Sequence, residues 1–407
     1  MTPETIAYIR AHRTEDVRLL ALRGSKADGV DMPSALEQIA GWQKAREKLP
    51  SWAAAEGIVY PPRISMEQCS SEATARYKAA IAVRTAPEGT AEGMAGDCFV
   101  DLTGGFGVDF YYIGALFRRA VYVERQPRLC AVAKQNFERL GGLAGCEVVN
   151  ADGQDYLDTL GHADLIFLDP ARRDANGRRT YGIGDCTPDV RAMLPQLAAK
   201  GEALLLKLSP MLDWRKAVED IEAVGCARVR EVHIVATDNE VKELLLLVSR
   251  HGGPVEVYCA CDGALLRYYP QEEAAARELP VAEIPSAPRY LYEPNSAVMK
   301  AGCYRLIGAR YGVAQLGANS HLYVSEQEVA DFPGRRFEIT GMTDMGKRSM
   351  KEALKGITHA NISVRNFPMS AEELRRKLRL KDGGDTYIFA TTIDGRGHQI
   401  IIGRKKS

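Results

Sequence analysis

FVDLTGGFGVD, residues 99–109, reads as a buried strand that runs into a glycine loop and then a helix. Cys98, Phe99, Val100 and Leu102 supply the apolar strand, and Gly104, Gly105 and Gly107 fall within four positions. Glycine adopts backbone angles closed to other residues, and without a Cβ it lets a ligand lie against the main chain. The acidic Asp101 stands just before these glycines. Loops that cradle phosphate follow GxGxxG or GxxxxGK[ST] and aim amides at an anion. Neither pattern is present. A carboxylate at the mouth of the loop repels a pyrophosphate and suits a ligand with a cationic end.

Outward from this loop, apolar strands alternate with helical text from about 98 to 250. The strands are CFVDL (98–102), AVYVE (120–124), CEVVN (146–150), ADLIFLD (163–169), EALLLKL (202–208), REVHIVAT (230–237) and ELLLLVS (243–249). Such alternation predicts a parallel sheet covered on both faces. About five residues separate the last two strands, too few for a parallel crossover, so they form an antiparallel hairpin. The expected fold is α/β: a seven-stranded, doubly wound, mostly parallel sheet with an antiparallel final hairpin.

The flanks read differently. Residues 1–90 have helical periodicity and form a helical N-terminal domain, punctuated by Pro33 and Pro50. Residues 91–250 form the sheet domain. Residues 251–330 are a small α/β module, ferredoxin-like, that opens with a hairpin turning at Asp262-Gly263. Residues 331–407 form a second small α/β module, in which sixteen Lys and Arg stand against nine Asp and Glu. Over the 407 residues both classes number 53, so any nucleic-acid surface is a local patch. No apolar run approaches the roughly 18 residues of a membrane span, and MTPETIAYIR lacks the marks of a signal peptide. The nine cysteines are scattered without a CxxC, which argues for reduced thiols in the cytoplasm and against a metal site.

In an open parallel sheet, ligands sit beyond the C-terminal strand ends. Those ends carry Asp101 with its glycines, then Glu124, Asp152 beside Gly153, Asp169-Pro170, and Lys207-Leu208-Ser209. An acid about twenty residues past the loop accepts from both ribose hydroxyls, and Asp152 accepts from an adenine amine. S-adenosylmethionine fits this set, because it offers ribose and adenine, no phosphate, and a sulfonium. Over 98–250 the chain resembles the class I (Rossmann-like) S-adenosylmethionine-dependent methyltransferases. The loop departs from their common D-x-G-x-G-x-G, with Thr103 where the first glycine stands. Its D-x-T-x-G-x-G-x-D form is similar to loops of some ribosomal-RNA guanine-N2 methyltransferases. The resemblance implies cofactor contacts at Asp101, Thr103, Gly104, Gly105, Gly107, Asp109, Glu124, Asp152, Gly153 and Asp169, with Asp109 reaching the methionine ammonium.

The acceptor side rests on Asp169-Pro170-Ala171-Arg172. In amino-directed nucleic-acid methyltransferases this strand ends in [D/N]-P-P-[Y/F], where the acid holds the amine and the aromatic stacks on the base. Asp169 and Pro170 match. Arg172 replaces the aromatic, and a planar guanidinium also stacks. Asp169, Pro170 and Arg172 are therefore the expected catalytic residues. Arg172, Arg173, Arg178 and Arg179 form an anion-facing substrate loop. Cys186 is expected to be a structural thiol. In the helix before the first strand, Ser71, Thr74 and Lys78 are candidates to meet the cofactor's carboxylate. Residues 332–407 look like the THUMP-like domain found in a family of bacterial methyltransferases, which implies RNA binding. The expected function is methylation of RNA at a base nitrogen. The alternatives are a protein or small-molecule methyltransferase, or a non-catalytic RNA-binding protein.

Overall fold

The computed structural model describes residues 1–23, 28–86, 90–172, 182–277 and 288–406. The chain divides into two compact units, Met1–Arg230 with Leu245–Gly253, and Glu231–Leu244 with Pro254–Ser407.

The first unit opens with helices α1 (Pro3–His12), α2 (Val17–Arg23), α3 (Met32–Lys48), α4 (Pro50–Ala54), α5 (Arg63–Gln68) and α6 (Glu72–Arg84). Local chemistry sets their starts. Asp31 accepts from the Ser34 amide and Pro33 sits in the first turn of α3; Ser71 accepts from the Thr74 amide at the start of α6. The segment between α4 and α5 is held by two buried side-chain amides. Gln38 exchanges two hydrogen bonds of 2.8 Å with the backbone of Tyr60. Asn136 does the same with Val59, also at 2.8 Å. Each amide satisfies a donor and an acceptor that burial would otherwise leave costly.

The α/β part follows: β1 (Gly96–Asp101), α7 (Val108–Gly114), β2 (Phe117–Glu124), α8 (Pro127–Arg139), β3 (Cys146–Asn150), α9 (Gly153–Thr159) and β4 (Ala163–Leu168). A short antiparallel ribbon then pairs β5 (Ala171–Arg172) with β6 (Cys186–Thr187). α10 (Val190–Lys200), β7 (Gly201–Leu208) and α11 (Trp214–Glu222) complete it. β1 lies between β2 and β4, parallel to both; β2 is parallel to β3 and β4 to β7. The chain therefore winds outward from β1 in both directions, and the crevice at the ends of β1 and β4 is the switch point.

β8 (Arg228–Thr237) and β9 (Glu240–Ser249) form the expected final hairpin, with a tighter turn than the sequence suggests. Asp238 and Asn239 carry it with φ of 53° and 55°, the left-handed pair of a two-residue turn. The Asp262 carboxylate accepts from both of their amides, at 2.7 and 3.0 Å. The hairpin β10 (Glu256–Cys261) and β11 (Ala264–Tyr268), read from sequence as part of a separate small module, joins the same sheet through a parallel pairing of β10 with β8. The sheet thus has nine strands, in the order β11-β10-β8-β9-β7-β4-β1-β2-β3.

The second unit continues with α12 (Pro270–Ala275), β12 (Tyr290–Pro294), α13 (Ser296–Ala301), α14 (Tyr304–Tyr311), β13 (Ala314–Gln315) and β14 (Tyr323–Ser325). β15 (Gly334–Asp344), α15 (Lys347–Ala353), β16 (Asn361–Arg365), α16 (Ala371–Leu378), β17 (Thr386–Ile393) and β18 (Gly397–Lys405) follow. Seven strands make one sheet, in the order β13-β14-β12-β15-β18-β17-β16. α15 and α16 bury Leu354, Leu374 and Leu378 against Ile388, Ile400 and Ile402, while Phe337, Phe389 and Ile401 pack with Leu291 and Leu316 in a second core. The buried Glu293 on β12 takes the guanidinium groups of Arg335 and Arg365 and the Ser363 hydroxyl. Ser363 and Arg365 belong to β16, four strands from β12, so the sheet curls to bring them together.

Candidate functional site

The loop after β1 is built by steric demand as much as by ligand space. A Cβ on Gly104 would lie 2.3 Å from the Tyr122 ring, and Gly107, at φ 85°, would meet Phe137 at 2.7 Å. Gly105 differs. Its φ is 56°, and a methyl placed on it would have only the Thr103 carbonyl nearby, at 3.7 Å. Its face of the loop is open, while Tyr122 holds its carbonyl from behind at 2.5 Å. Gly153 owes its identity to packing, since a Cβ there would come within 2.2 Å of the Leu102 carbonyl.

Asp101 is buried at the end of β1. Its Oδ1 accepts from the Thr103 amide at 2.8 Å and from the Thr103 hydroxyl at 3.3 Å. Burial drives its carboxyl well above the usual range, and the negative charges of Asp109 and Asp169 add to this; the Thr103 hydrogen bonds offset it only in part. The same Thr103 hydroxyl accepts from the Asp169 amide at 2.7 Å, which ties the end of β4 to the loop. Glu124, at the end of β2, accepts from the Gly105 amide at 2.9 Å and the Gln126 amide at 2.8 Å, one to each oxygen. A carboxylate has about four acceptor positions, so both oxygens retain capacity for ribose hydroxyls. Asp152 is exposed and caps α9 through the Gln154 amide at 2.9 Å.

Asp109 is handled differently from the sequence expectation. It begins α7, is buried, and accepts from the Ser70 hydroxyl at 2.7 Å. The Lys78 ammonium lies 3.2 Å from Oδ1, and that of Lys207 lies 3.6 Å from Oδ2. Burial alone would raise its carboxyl; the two ammonium groups and Ser70 overcome this and hold it below the ordinary value. Lys78 is fully buried. Its ammonium lies against Asp109 and against Ser70 Oγ, 3.2 Å away, whereas the sequence suggested a cofactor carboxylate as its partner. Ser71 and Thr74 likewise serve the cap of α6.

Asp169 follows β4 with its side chain about a third exposed, and its Oδ2 accepts from Lys207 Nζ at 2.6 Å. Pro170 is buried behind it. Arg172 is placed by its backbone, opposite Cys186 in the ribbon; Arg173, Arg178 and Arg179 lie outside the described residues. Cys186 is buried, as expected of a structural thiol. The sequence places Lys207 at the strand-end rim without assigning it a partner, and it gives Ser70 no role in the site. The available signal was a single charge in the apolar run EALLLKL, at the same rim as the acids.

The site therefore collects Asp101, Asp109 and Asp169 with Lys78 and Lys207. Glu124 adds a further carboxylate at the same rim, so the acids outnumber the two ammonium groups beside an open glycine face. A ligand with a cationic end and two ribose hydroxyls fits these residues. Among the described residues no group of three or more His, Cys, Asp or Glu could hold a metal ion, and no helix is long and apolar enough to cross a membrane.

Comparison with known proteins agrees. Residues 290–333 match a ferredoxin-like domain, and residues 334–405 match a THUMP domain-like family. A crystal structure described as that of a candidate methyltransferase from Porphyromonas gingivalis W83 superposes with a TM-score of 0.82 at 30% identity, over 99% of this chain and 98% of that one. Two uncharacterized S-adenosylmethionine-dependent methyltransferases from Mycobacterium tuberculosis strains, CDC 1551 and H37Rv, are each 26% identical over 306 residues, 74% of this chain and 78% of theirs. The open glycine face, the excess negative charge and the full-length match together place this chain in the class I S-adenosylmethionine-dependent methyltransferases that end in a THUMP-like domain.

Proposed function

We propose that this enzyme methylates RNA at a base nitrogen. The observation that carries the RNA reading is the outward surface of the THUMP-like module. Lys347, Lys351, Lys355, Arg376, Lys377 and Arg379 are all exposed on or beside α15 and α16, the two helices of one sheet face. Clustered cations of this kind bind phosphate backbones with an affinity that falls steeply with salt. The base-nitrogen reading rests on Asp169-Pro170, set one hydrogen bond from the loop through Thr103.

Each residue then has a role. Asp101 faces the cationic end of the cofactor, with Thr103, Gly104, Gly105 and Gly107 forming the cradle. Glu124 takes the ribose hydroxyls, and Asp152 with Gly153 borders the adenine. Bound S-adenosylmethionine supplies an electrophilic methyl on a sulfonium. The chain's part is alignment of the acceptor and exclusion of water, which give large rate gains in a displacement. Asp169 accepts the N–H of the acceptor amine, which directs the nitrogen lone pair into the site, and takes the proton that leaves as the N–C bond forms. Arg172 stacks on the base or pairs with its phosphate.

The test is transfer of tritiated methyl into fractionated lysate from a strain lacking the gene. Label in RNA, lost on nuclease treatment and on N-glycosidic cleavage of the labelled base, is the expected result. Label confined to protein or small molecules would refute the substrate reading. Calorimetry in which neither the wild type nor Asp101→Ala binds S-adenosylhomocysteine would refute the assignment of the cradle.

A further inference from the structure

The acceptor carboxylate, Asp169, is fixed from two sides. Its backbone amide donates to Thr103 Oγ1 at 2.7 Å, which sets where the residue begins. Its Oδ2 takes Lys207 Nζ at 2.6 Å, which sets where the side chain ends. Among the described residues Oδ1 receives no hydrogen bond, and the side chain remains about a third exposed. Lys207 is itself placed with care. It stands one residue before the end of β7, next to β4 in the sheet, and its side chain is almost wholly covered. Its ammonium also lies 3.6 Å from Asp109 Oδ2, in the first turn of α7 directly after the cofactor loop. A single cation thus spans the cofactor loop and the acceptor carboxylate.

We propose that Lys207 is a positioning residue for methyl transfer, which clamps one oxygen of Asp169 and turns the other toward the acceptor. The inference rests on the reading of Asp169 as the residue that meets the acceptor, whatever molecule carries it. A carboxylate with one oxygen already occupied and its charge balanced accepts from one neutral N–H donor in one geometry. It also attracts an alkylammonium poorly, because Lys207 already supplies the positive charge. The clamp therefore selects a neutral amine, such as that of a nucleobase, over a protonated protein amine. Lys78, fully buried, holds Asp109 from the other oxygen.

The variants are Lys207→Met, Lys207→Arg, Asp169→Ala and the Lys207→Met/Asp169→Ala double, each as the full chain. Two readouts are needed. Calorimetry with S-adenosylhomocysteine reports the cofactor cradle without chemistry. Tritiated-methyl transfer into lysate of the deletion strain, at saturating cofactor, reports alignment in whichever fraction the wild type labels. The expected result is transfer lowered about 30-fold or more by Lys207→Met, recovered within about fivefold by Lys207→Arg, with S-adenosylhomocysteine affinity within about threefold in these two variants. In the Asp169→Ala background, Lys207→Met should cost less than about twofold, because the residue through which it acts is gone. An undiminished cost in that background, or a parallel loss of S-adenosylhomocysteine affinity, would overturn the proposal. The identity of the labelled fraction decides the RNA reading separately. A wild type that labels no fraction would overturn the role given to Asp169 and the clamp with it.

Discussion

Lys78→Met removes a cation from beneath the glycine loop and keeps most of the stem that fills the space. The ammonium is wholly buried, 3.2 Å from Asp109 Oδ1 and 3.2 Å from Ser70 Oγ. Removing one partner of a buried ion pair costs about 3–5 kcal/mol, because the other is left as an uncompensated charge. Asp109 retains the Ser70 hydroxyl at 2.7 Å and Lys207 at 3.6 Å, which puts this case at the lower end, about 3 kcal/mol. At about 2–4 °C per kcal/mol for a domain of this size, the melting temperature at pH 7 should fall by about 6–12 °C. The pH dependence follows from the direction of the shift. The folded Asp109 carboxyl lies below its ordinary value, despite burial, because of Lys78, Lys207 and Ser70. Its contribution is therefore complete above the ordinary carboxylate value of about 3.9 and is lost as pH falls through the lower folded value. Differential scanning calorimetry from pH 8 down to about pH 2.5 should show a gap between wild type and variant that is constant above the ordinary carboxylate value of about 3.9 and narrows below it. A melting temperature unchanged at pH 7, or a gap that widens on acidification, would refute the reasoning.

The glycines should separate into two kinds. Gly104→Ala drives a methyl into the Tyr122 ring and should lower stability by several kcal/mol in chemical denaturation, at least about 2. Gly105→Ala should cost only about 1 kcal/mol for its left-handed backbone, yet weaken S-adenosylhomocysteine binding about tenfold or more by filling the open face. Equal loss of stability in both would remove the distinction. Asp101→Asn should raise the melting temperature of the ligand-free protein at neutral pH: a buried carboxyl whose folded value is raised favours folding below its ordinary value and loses that as pH rises through the folded one. The same variant should bind S-adenosylmethionine at least tenfold more weakly, and unchanged affinity by calorimetry would sink its cofactor role. Paired Arg376→Glu and Lys377→Glu should weaken binding to bulk RNA at low salt and flatten the slope of log affinity against log salt. Filter binding at several ionic strengths reads both quantities.

Much of this architecture was legible in the sequence because it follows from local periodicity. FVDLTGGFGVD states strand, loop and helix in order, and the rim acids follow from where parallel strands end. What escaped was decided by partners distant in sequence. Lys78 reads as a candidate partner for the cofactor's carboxylate, and only the fold brings Asp109 over it. Lys207 reads as a lone charge in an apolar strand, with nothing nearby in sequence to predict a carboxylate from β4. Asp152 reads equally as ligand partner and helix cap, and its bond to the Gln154 amide shows the cap. The hairpin Glu256–Tyr268 was visible as a hairpin, yet no local signal says which sheet it extends.

The two C-terminal family matches meet between residues 333 and 334, whereas the hydrogen bonds run straight across that point. Tyr290 to Pro294 pair with Gly334 to Glu338, residue by residue, and Glu293 reaches over to Ser363 and Arg365. What is inherited as two modules is thus assembled as one. A cut at the boundary would strip β12 of a neighbour and leave Glu293 buried without its cations. Exchange of the THUMP-like part between relatives should succeed only when the ferredoxin-like part travels with it, so the pair is the smallest transplantable cassette.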